Sequence, residues 1–452
     1  MLRIFFFLIL IPFLLGFDFF KGESFKKAHI GIVVFDLKNG KEIYTYNAEK
    51  NFTPASLQKI ITSVAAIHFL GENFRFTTDL FYYGDIDKTG LLHGDVWLCG
   101  GGDPTLSLDI LSIWEKKLKQ KGIKKISGKI FVDISCFESS LASPFWEFTD
   151  IGNYYGAGAC GLTINKNSYT ISFKGGKKEN DRAKVIKMEP EIPGLIWHNE
   201  VITGPKDSGD QVNIFGMEYS PRQFYRGSVP LNANNFKVKA AIFDPAFFCG
   251  HYLNSKIPAL SGVEVVKEKI QQQKGKLLFR HLSPPLKQIL KEMNFYSINL
   301  YAEHLIKAIG NGKAKIGIQK TEEFLQNNFN ISLHVKDGSG LARTNYISPK
   351  NLVKLLCRIR KDPKYAAVYD SFPHVGEGSL KKFPKLSAEL KGKTGCMEGV
   401  QNLAGYIIYP DRREYVFCII CNNYEGNTKG IKNEIFNFLK YLSLQNSSHP
   451  IL

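Results

Sequence analysis

Apolar residues run without interruption from Ile4 to Leu15, return in two strand-like runs between Ile30 and Tyr46, and then crowd nearly every face of a stretch ending at Leu70. The strand-like runs cover residues 31–37 and 42–46, joined by a tight turn at Asn39-Gly40. The crowded segment predicts a helix. Thr53 suits its N-cap, Pro54 its first position and Gly71 its stop. Such a helix is about 25 Å long, and its apolar faces place it in the middle of a domain.

Farther along, residues 77–83 and 94–98 read as strands, 108–121 as a helix and 129–134 as a strand, the alternation of an α/β module. From residue 165 to 235 helix signals almost vanish. Short strands there alternate with Gly, Pro, Asn and Lys, which predicts a mostly β insertion. Residues 240–244 return to strand and 245–253 to helix, so the α/β module resumes. Residues 284–309 form a strong helical region, followed by a helix over 349–360, strands near Glu389 and over 404–409 and 415–421, and a last helix over 430–442. No repeat or low-complexity tract interrupts this order.

A length of 452 residues suits two to three domains at roughly 150 residues each. Arg3 followed by the first apolar run resembles a secretory signal over residues 1–16, which predicts an exported chain. Leu14-Leu15-Gly16 is a poor cleavage pattern, so an uncleaved anchor is the alternative; membrane contact is expected only through that segment. Later apolar runs are too short to span a bilayer. The formal charge is +17, or +16 once Arg3 is removed, and favours polyanionic surroundings such as the polymers of a cell envelope. Lys and Arg are scattered rather than striped, and no nucleic-acid module is present, so nucleic acid is not expected as a partner. Eight cysteines in an exported chain could pair, but the sequence does not choose among the pairings. Cys418 and Cys421 form a lone Cys-x-x-Cys without a second pair or a His cluster, which argues against zinc; no cofactor is expected.

The chemistry sits at the start of the apolar helix. Ser56 and Lys59 lie three apart on one face. A serine hydroxyl needs a base, and an ordinary lysine is protonated at neutral pH. Burial near a helix N-terminus disfavours the ammonium, and a drop of about three pKa units costs roughly 4 kcal/mol, which only a well-packed site sustains. Ser-x-x-Lys recurs at Ser24 and Ser379, but neither opens an apolar helix. Two further motifs follow in order: Ser297-Ile298-Asn299 in the long helical region, and Lys393-Thr394-Gly395 at the start of a strand. The order of the three is far more specific than any one of them. A second Lys-Thr-Gly, Lys88-Thr89-Gly90, follows Asp87 and reads as a hairpin turn. A P-loop around Lys393 fails because Ser387 stands where its first Gly is required, and Gly156-x-Gly158-x-x-Gly161 is followed by strand-like residues instead of a helix. No Gly-x-Ser-x-Gly elbow is present to support a histidine triad.

The ordered set resembles that of the serine acyl-transferases that penicillins inactivate, and more narrowly the class C low-molecular-mass penicillin-binding proteins, the D-alanyl-D-alanine carboxypeptidase and endopeptidase family. Matching stretches extend over the chain: Pro54-Ala55-Ser56, residues 100–106, Tyr155-Gly156-Ala157, Asp244-Pro245-Ala246, Ser283-Pro284-Pro285-Leu286, Asn299-Leu300-Tyr301-Ala302-Glu303 and Asp337-Gly338-Ser339-Gly340-Leu341. The resemblance implies an α/β (α+β) fold with a transpeptidase and β-lactamase-like catalytic domain, an antiparallel sheet flanked by helices, over residues 17–71 and 280–452. An α/β insert over 72–164 and 236–279 and a mostly β inner insert over 165–235 would be nested within it.

Carried over by position, the resemblance implies that Ser56 is the nucleophile, Lys59 its base, and Ser297 the group that passes a proton to the leaving amine. Asn299 would hold the substrate amide, Lys393 and Thr394 would bind the terminal carboxylate, and Gly395 and Cys396 would complete the substrate-binding strand. The N–H groups of Ser56 and Cys396 would form the oxyanion hole, at roughly 3 kcal/mol per donor. Peptidoglycan stem peptides are the implied substrates, β-lactams the implied inhibitors, and the periplasm or cell envelope the implied location. Two residues depart from the pattern: Ile298, where a polar residue is common, and Cys396, where Thr is. A non-catalytic envelope scaffold that retains the pocket is the alternative from another class. A β-lactamase would share the motifs, but with a much shorter chain between them.

Overall fold

The computed structural model describes residues 19–20, 25–268, 275–426 and 428–444. The expected signal over residues 1–16 lies outside the described residues. The described residues form two compact units: one holds those within 1–72, 290–298 and 318–452, the other those within 73–289 and 299–317.

The first unit is built on a five-stranded, wholly antiparallel sheet. In spatial order its strands are Glu389–Met397, Val400–Ile408, Glu414–Asn422, His29–Asp36 and Lys41–Tyr46. The middle strand, Glu-Tyr-Val-Phe-Cys-Ile-Ile-Cys-Asn, is apolar on both faces because both are covered. Helix Pro349–Lys361 packs against this strand and His29–Asp36; Ser348 caps it by accepting from the Asn351 N–H, and Pro349 takes its first position. Ile431, Ile435, Phe438 and Leu439 of helix Thr428–Leu444 share a core with Ile32, Val34, Leu403 and Ile419 of the sheet.

The apolar helix is present, with Ile60 to Ile67 buried and a stop at Gly71 in the left-handed region (φ 82°). Its beginning differs from expectation. A tight 3-10 turn, Ala55–Leu57, precedes the α-helix Gln58–Leu70, and Thr53 is not its cap. The sheet claims the backbone there instead: Asn422 Oδ1 accepts from the Thr53 N–H, and Asn402 Nδ2 donates to the carbonyls of Thr53 and Pro54. Thr53 Oγ1 donates to the Arg343 carbonyl.

The predicted helical region over residues 284–309 is two helices, Leu286–Tyr296 and Asn299–Ile309. Ser297 separates them in a left-handed conformation (φ 59°), closed by the Ile298 N–H on the Met293 carbonyl at 3.0 Å. Helix Ala314–Phe329 and strands Val263–Val266 and Lys276–Leu282 had not been anticipated.

The second unit has a mixed five-stranded sheet in the order Val263–Val266, Ile130–Asp133, Val96–Cys99, Thr77–Tyr82 and Lys276–Leu282, with helix Pro245–Lys256 packed on it. Every regular element in residues 168–241 is a short strand in a small sheet, as their Gly, Pro and Asn content predicts. Its incoming and outgoing chains are stitched together. The Ser283 N–H donates to the Phe76 carbonyl at 3.0 Å and the Leu286 N–H to the Phe74 carbonyl at 2.8 Å. Among the described residues, which include all eight cysteines, no disulfide is formed. No described helix is long and apolar enough to cross a membrane.

Candidate active site

Ser56 sits in the 3-10 turn that opens the apolar helix, partly exposed while its neighbours are buried. Ala55 before it takes φ 47°, a left-handed conformation that costs a residue with a Cβ of order 1 kcal/mol. The strain persists because the turn is held on every side. Asn402 and Asn422 grip it from the sheet. Gly395 lies so close beneath that a Cβ would stand 2.5 Å from the Pro54 carbonyl oxygen, and at Gly340 a Cβ would stand 1.9 Å from the Ala55 oxygen. The third residue of Lys-Thr-Gly is therefore a glycine for packing reasons.

Lys59, one turn into the helix, is fully buried and donates from Nζ to Ser56 Oγ at 3.0 Å and to the Ser339 carbonyl at 2.7 Å. Thr62 Oγ1 adds a bond to the Gly338 carbonyl at 2.6 Å. The loop that offers these carbonyls is shaped by buried Asp337, whose carboxylate accepts from the Gly340 and Ala342 N–H groups and from Asn345 Nδ2, at 2.7 to 2.8 Å. Asp337 is named above only as part of a matching stretch, and Asn345, Asn402 and Asn422 are not named there. The Asp-Gly-Ser-Gly stretch pointed to the first, and nothing local marked the others.

A second Ser–Lys pair lies in the same unit. Lys393, fully buried on the edge strand of the sheet, donates to Ser297 Oγ at 2.8 Å and to the Thr394 carbonyl at 2.8 Å. Burial pushes its ammonium well below the ordinary lysine value; the nearby Lys59 charge pushes the same way and Cys396 opposes. Thr394 is partly exposed, and Cys396 is exposed with its thiol donating to Gln401 Oε1 at 3.0 Å.

The first unit thus brings Ser56, Lys59, Ser297, Lys393, Thr394, Gly395 and Cys396 together. Asn299 follows Ser297 by two residues and opens the helix that belongs to the second unit, where its Nδ2 donates to the Tyr155 carbonyl at 2.8 Å. That bond identifies the amide nitrogen, so the side-chain oxygen is the acceptor. The decoys resolve as turns. Asp87 Oδ1 accepts from the Thr89 N–H and hydroxyl, folding Lys88-Thr89-Gly90 into a loop, and Gly156 ends a single 3-10 turn with no helix after it.

A helix opened by Ser-x-x-Lys, lying on an antiparallel sheet whose edge strand carries Lys-Thr-Gly, defines the penicillin-recognising class of serine acyl-transferases. Within that class the chain belongs to the D-Ala-D-Ala carboxypeptidase 3 (S13) family, which it matches over residues 19–441. It is a serine peptidase and a low-molecular-mass penicillin-binding protein of class C. The D-alanyl-D-alanine carboxypeptidase DacB of Haemophilus influenzae is 26% identical over 417 residues, covering 88% of this chain and 86% of that one. A D-alanyl-D-alanine carboxypeptidase from an Actinomadura species is 27% identical over 425 residues, covering 88% and 78%. The crystal structure of penicillin binding protein 4 from Haemophilus influenzae superposes with a TM-score of 0.80 at 24% identity, covering 96% of this chain and all of that one.

Proposed function

We propose that this protein works in the periplasm of a bacterial envelope, exported by residues 1–16, and hydrolyses the D-Ala-D-Ala end or the cross-links of peptidoglycan stem peptides through an acyl-enzyme on Ser56. The observation that carries the reading is the pair of buried lysines, each bonded to its own serine: Lys59 to Ser56 and Lys393 to Ser297. In its neutral form Lys59 takes the Ser56 proton as Oγ attacks the carbonyl carbon between the two D-alanines. The oxyanion forms between the N–H groups of Ser56 and Cys396. Ser297 hands a proton to the departing amine and is resupplied through Lys393. Water then cleaves the ester. Asn299 presents its amide oxygen to the substrate backbone.

The substrate carboxylate meets Thr394 and Lys393. An anion beside Lys393 favours the charged form of its amine, against the burial that disfavours it. β-Lactams acylate Ser56 by the same attack. Residues 72–279 are read as the α/β and mostly β inserts of the catalytic domain.

The test is intact mass after incubation with benzylpenicillin, for wild type and for Ser56→Ala. One stable adduct that vanishes in the variant is expected. No adduct on folded wild type, or one that survives in the variant, overturns the assignment; consumption of penicillin without an adduct points to a β-lactamase.

A further inference from the structure

Asn294 lies in the last turn of helix Leu286–Tyr296, three residues before Ser297, and is fully buried. Its Nδ2 donates to Ser63 Oγ at 2.9 Å and to Ser371 Oγ at 2.8 Å. Each hydroxyl has already given its one hydrogen away: Ser63 Oγ to the Lys59 carbonyl at 2.6 Å, and Ser371 Oγ to the Val368 carbonyl at 2.6 Å. Both therefore accept from Asn294, which fixes the orientation of its amide. That orientation leaves Asn294 Oδ1 buried without a hydrogen-bond partner. A buried orphan oxygen is destabilising, and a leucine of similar size would fill the space without one. Stability alone does not account for an amide at this position.

Its connections do. The turn from Asn294 to Ser297 is closed by the Ile298 N–H on the Met293 carbonyl, so the two residues move as one piece. Ser63 lies one turn beyond Lys59 on the apolar helix, and its hydroxyl ends on the Lys59 backbone. We propose that Asn294 is a positioning residue for acylation: through Ser63 it ties the turn presenting Ser297 to the turn carrying Lys59, and so keeps the two Ser–Lys pairs in register. The inference rests on the roles proposed above for Ser56, Lys59 and Ser297. The second arm of the amide, to Ser371 at the end of the short helix Ala366–Asp370, leads away from Lys59 and supplies an internal control.

The experiment measures acylation by a fluorescent penicillin, its pH profile and thermal unfolding for wild type, Asn294→Leu, Ser63→Ala, the double variant and Ser371→Ala. Asn294→Leu is expected to slow acylation by about tenfold or more while unfolding near the wild-type temperature. It is also expected to displace the acid limb of the profile, because the base and the proton-passing serine are no longer held together. Ser63→Ala should act in the same direction, the double variant should be no slower than Asn294→Leu, and Ser371→Ala should acylate as wild type does. If Asn294→Leu does not fold, Ser63→Ala carries the test alone. Rates within about twofold of wild type and an unmoved profile in the folded variants overturn the inference. So does a loss of rate that is equal in Ser371→Ala and follows the unfolding temperature. A wild type that takes no adduct overturns the Ser56 assignment as well, so the two failures are distinguishable.

Discussion

Replacing Gly395 by alanine tests how tightly the substrate-binding strand is fitted against the nucleophile turn. The added Cβ would stand 2.5 Å from the Pro54 carbonyl oxygen and 3.3 Å from Leu57 Cγ and Asn402 Cβ. Ordinary contact begins at 3.4 Å, so the strand and the turn must part by about 0.9 Å at the oxygen. That oxygen also receives Asn402 Nδ2 at 2.9 Å, a bond the displacement strains. The Gly395 φ is not in the left-handed region, so without a clash alanine would stabilise the strand by about 0.4–1 kcal/mol. With the clash, overpacking costs about 1–3 kcal/mol, and the sign of the stability change becomes diagnostic. A shift close to 1 Å between nucleophile and oxyanion donor is worth about 10²-fold in rate, or about 2.7 kcal/mol of barrier. Stopped-flow acylation by a fluorescent penicillin, with urea unfolding, measures both. A Gly395→Ala enzyme as stable as wild type and acylating within about threefold of it would refute the packing argument.

Lys393→Met addresses the buried charge. Because the folded state holds Lys393 well below its ordinary pKa, the unfolded chain binds the extra proton, and wild-type stability should rise with pH up to the unfolded lysine value. The contribution is up to about 1.4 kcal/mol per pH unit. Urea unfolding between about pH 8 and 10 should lose that slope in the variant, and an identical slope would count against it. Asp337→Ala strips the acceptor from two backbone N–H groups and Asn345; a loss of about 3 kcal/mol is expected, with slower acylation as the Ser339 carbonyl leaves Lys59. Unfolding within about 1 kcal/mol of wild type would contradict that cradle role. Thiol modification of Cys396, which borders a cavity of about 70 Å³ with Thr394, Ser379 and Phe383, should slow acylation of wild type and leave Cys396→Ser untouched. Equal rates before and after modification would show that the thiol stands clear of the reaction.

The apolar helix was legible because its partners lie on every side, so the burial signal needed no knowledge of which they were. The middle strand of the sheet was legible for the same reason. The beginning of that helix was not. Thr53 has the chemistry of a cap, but Asn402 and Asn422, 349 and 369 residues later, take its backbone first. The break at Ser297 was hidden as well, since Phe-Tyr-Ser-Ile contains neither Gly nor Pro and nothing in it signals a left-handed serine. Helix Ala314–Phe329 did carry a face, with Thr321, Phe324 and Leu325 buried, but Lys, Glu, Gln and Asn dilute it. Motif order located the serines and lysines. The asparagines that hold them have no local signature, because an amide grips backbone from whatever distance the fold allows.

The order of strands in the first sheet also bears on how the chain comes into being. His29 lies opposite Asn422, and the two strands between the hairpin and the Lys393 edge are among the last pieces synthesised. At about 5–20 residues per second, the apolar helix waits on the order of half a minute after its own synthesis for the strands that cover it. The second unit has no such wait. Its sheet is complete once the outgoing chain pairs with the incoming one near Phe74, so it can fold while the C-terminal third is still being made. A chain stopped at residue 413 would consequently be more than a slightly shortened enzyme. It would contain a finished second unit attached to an exposed apolar helix and a hairpin without its neighbour, a product for proteases rather than for the cell wall.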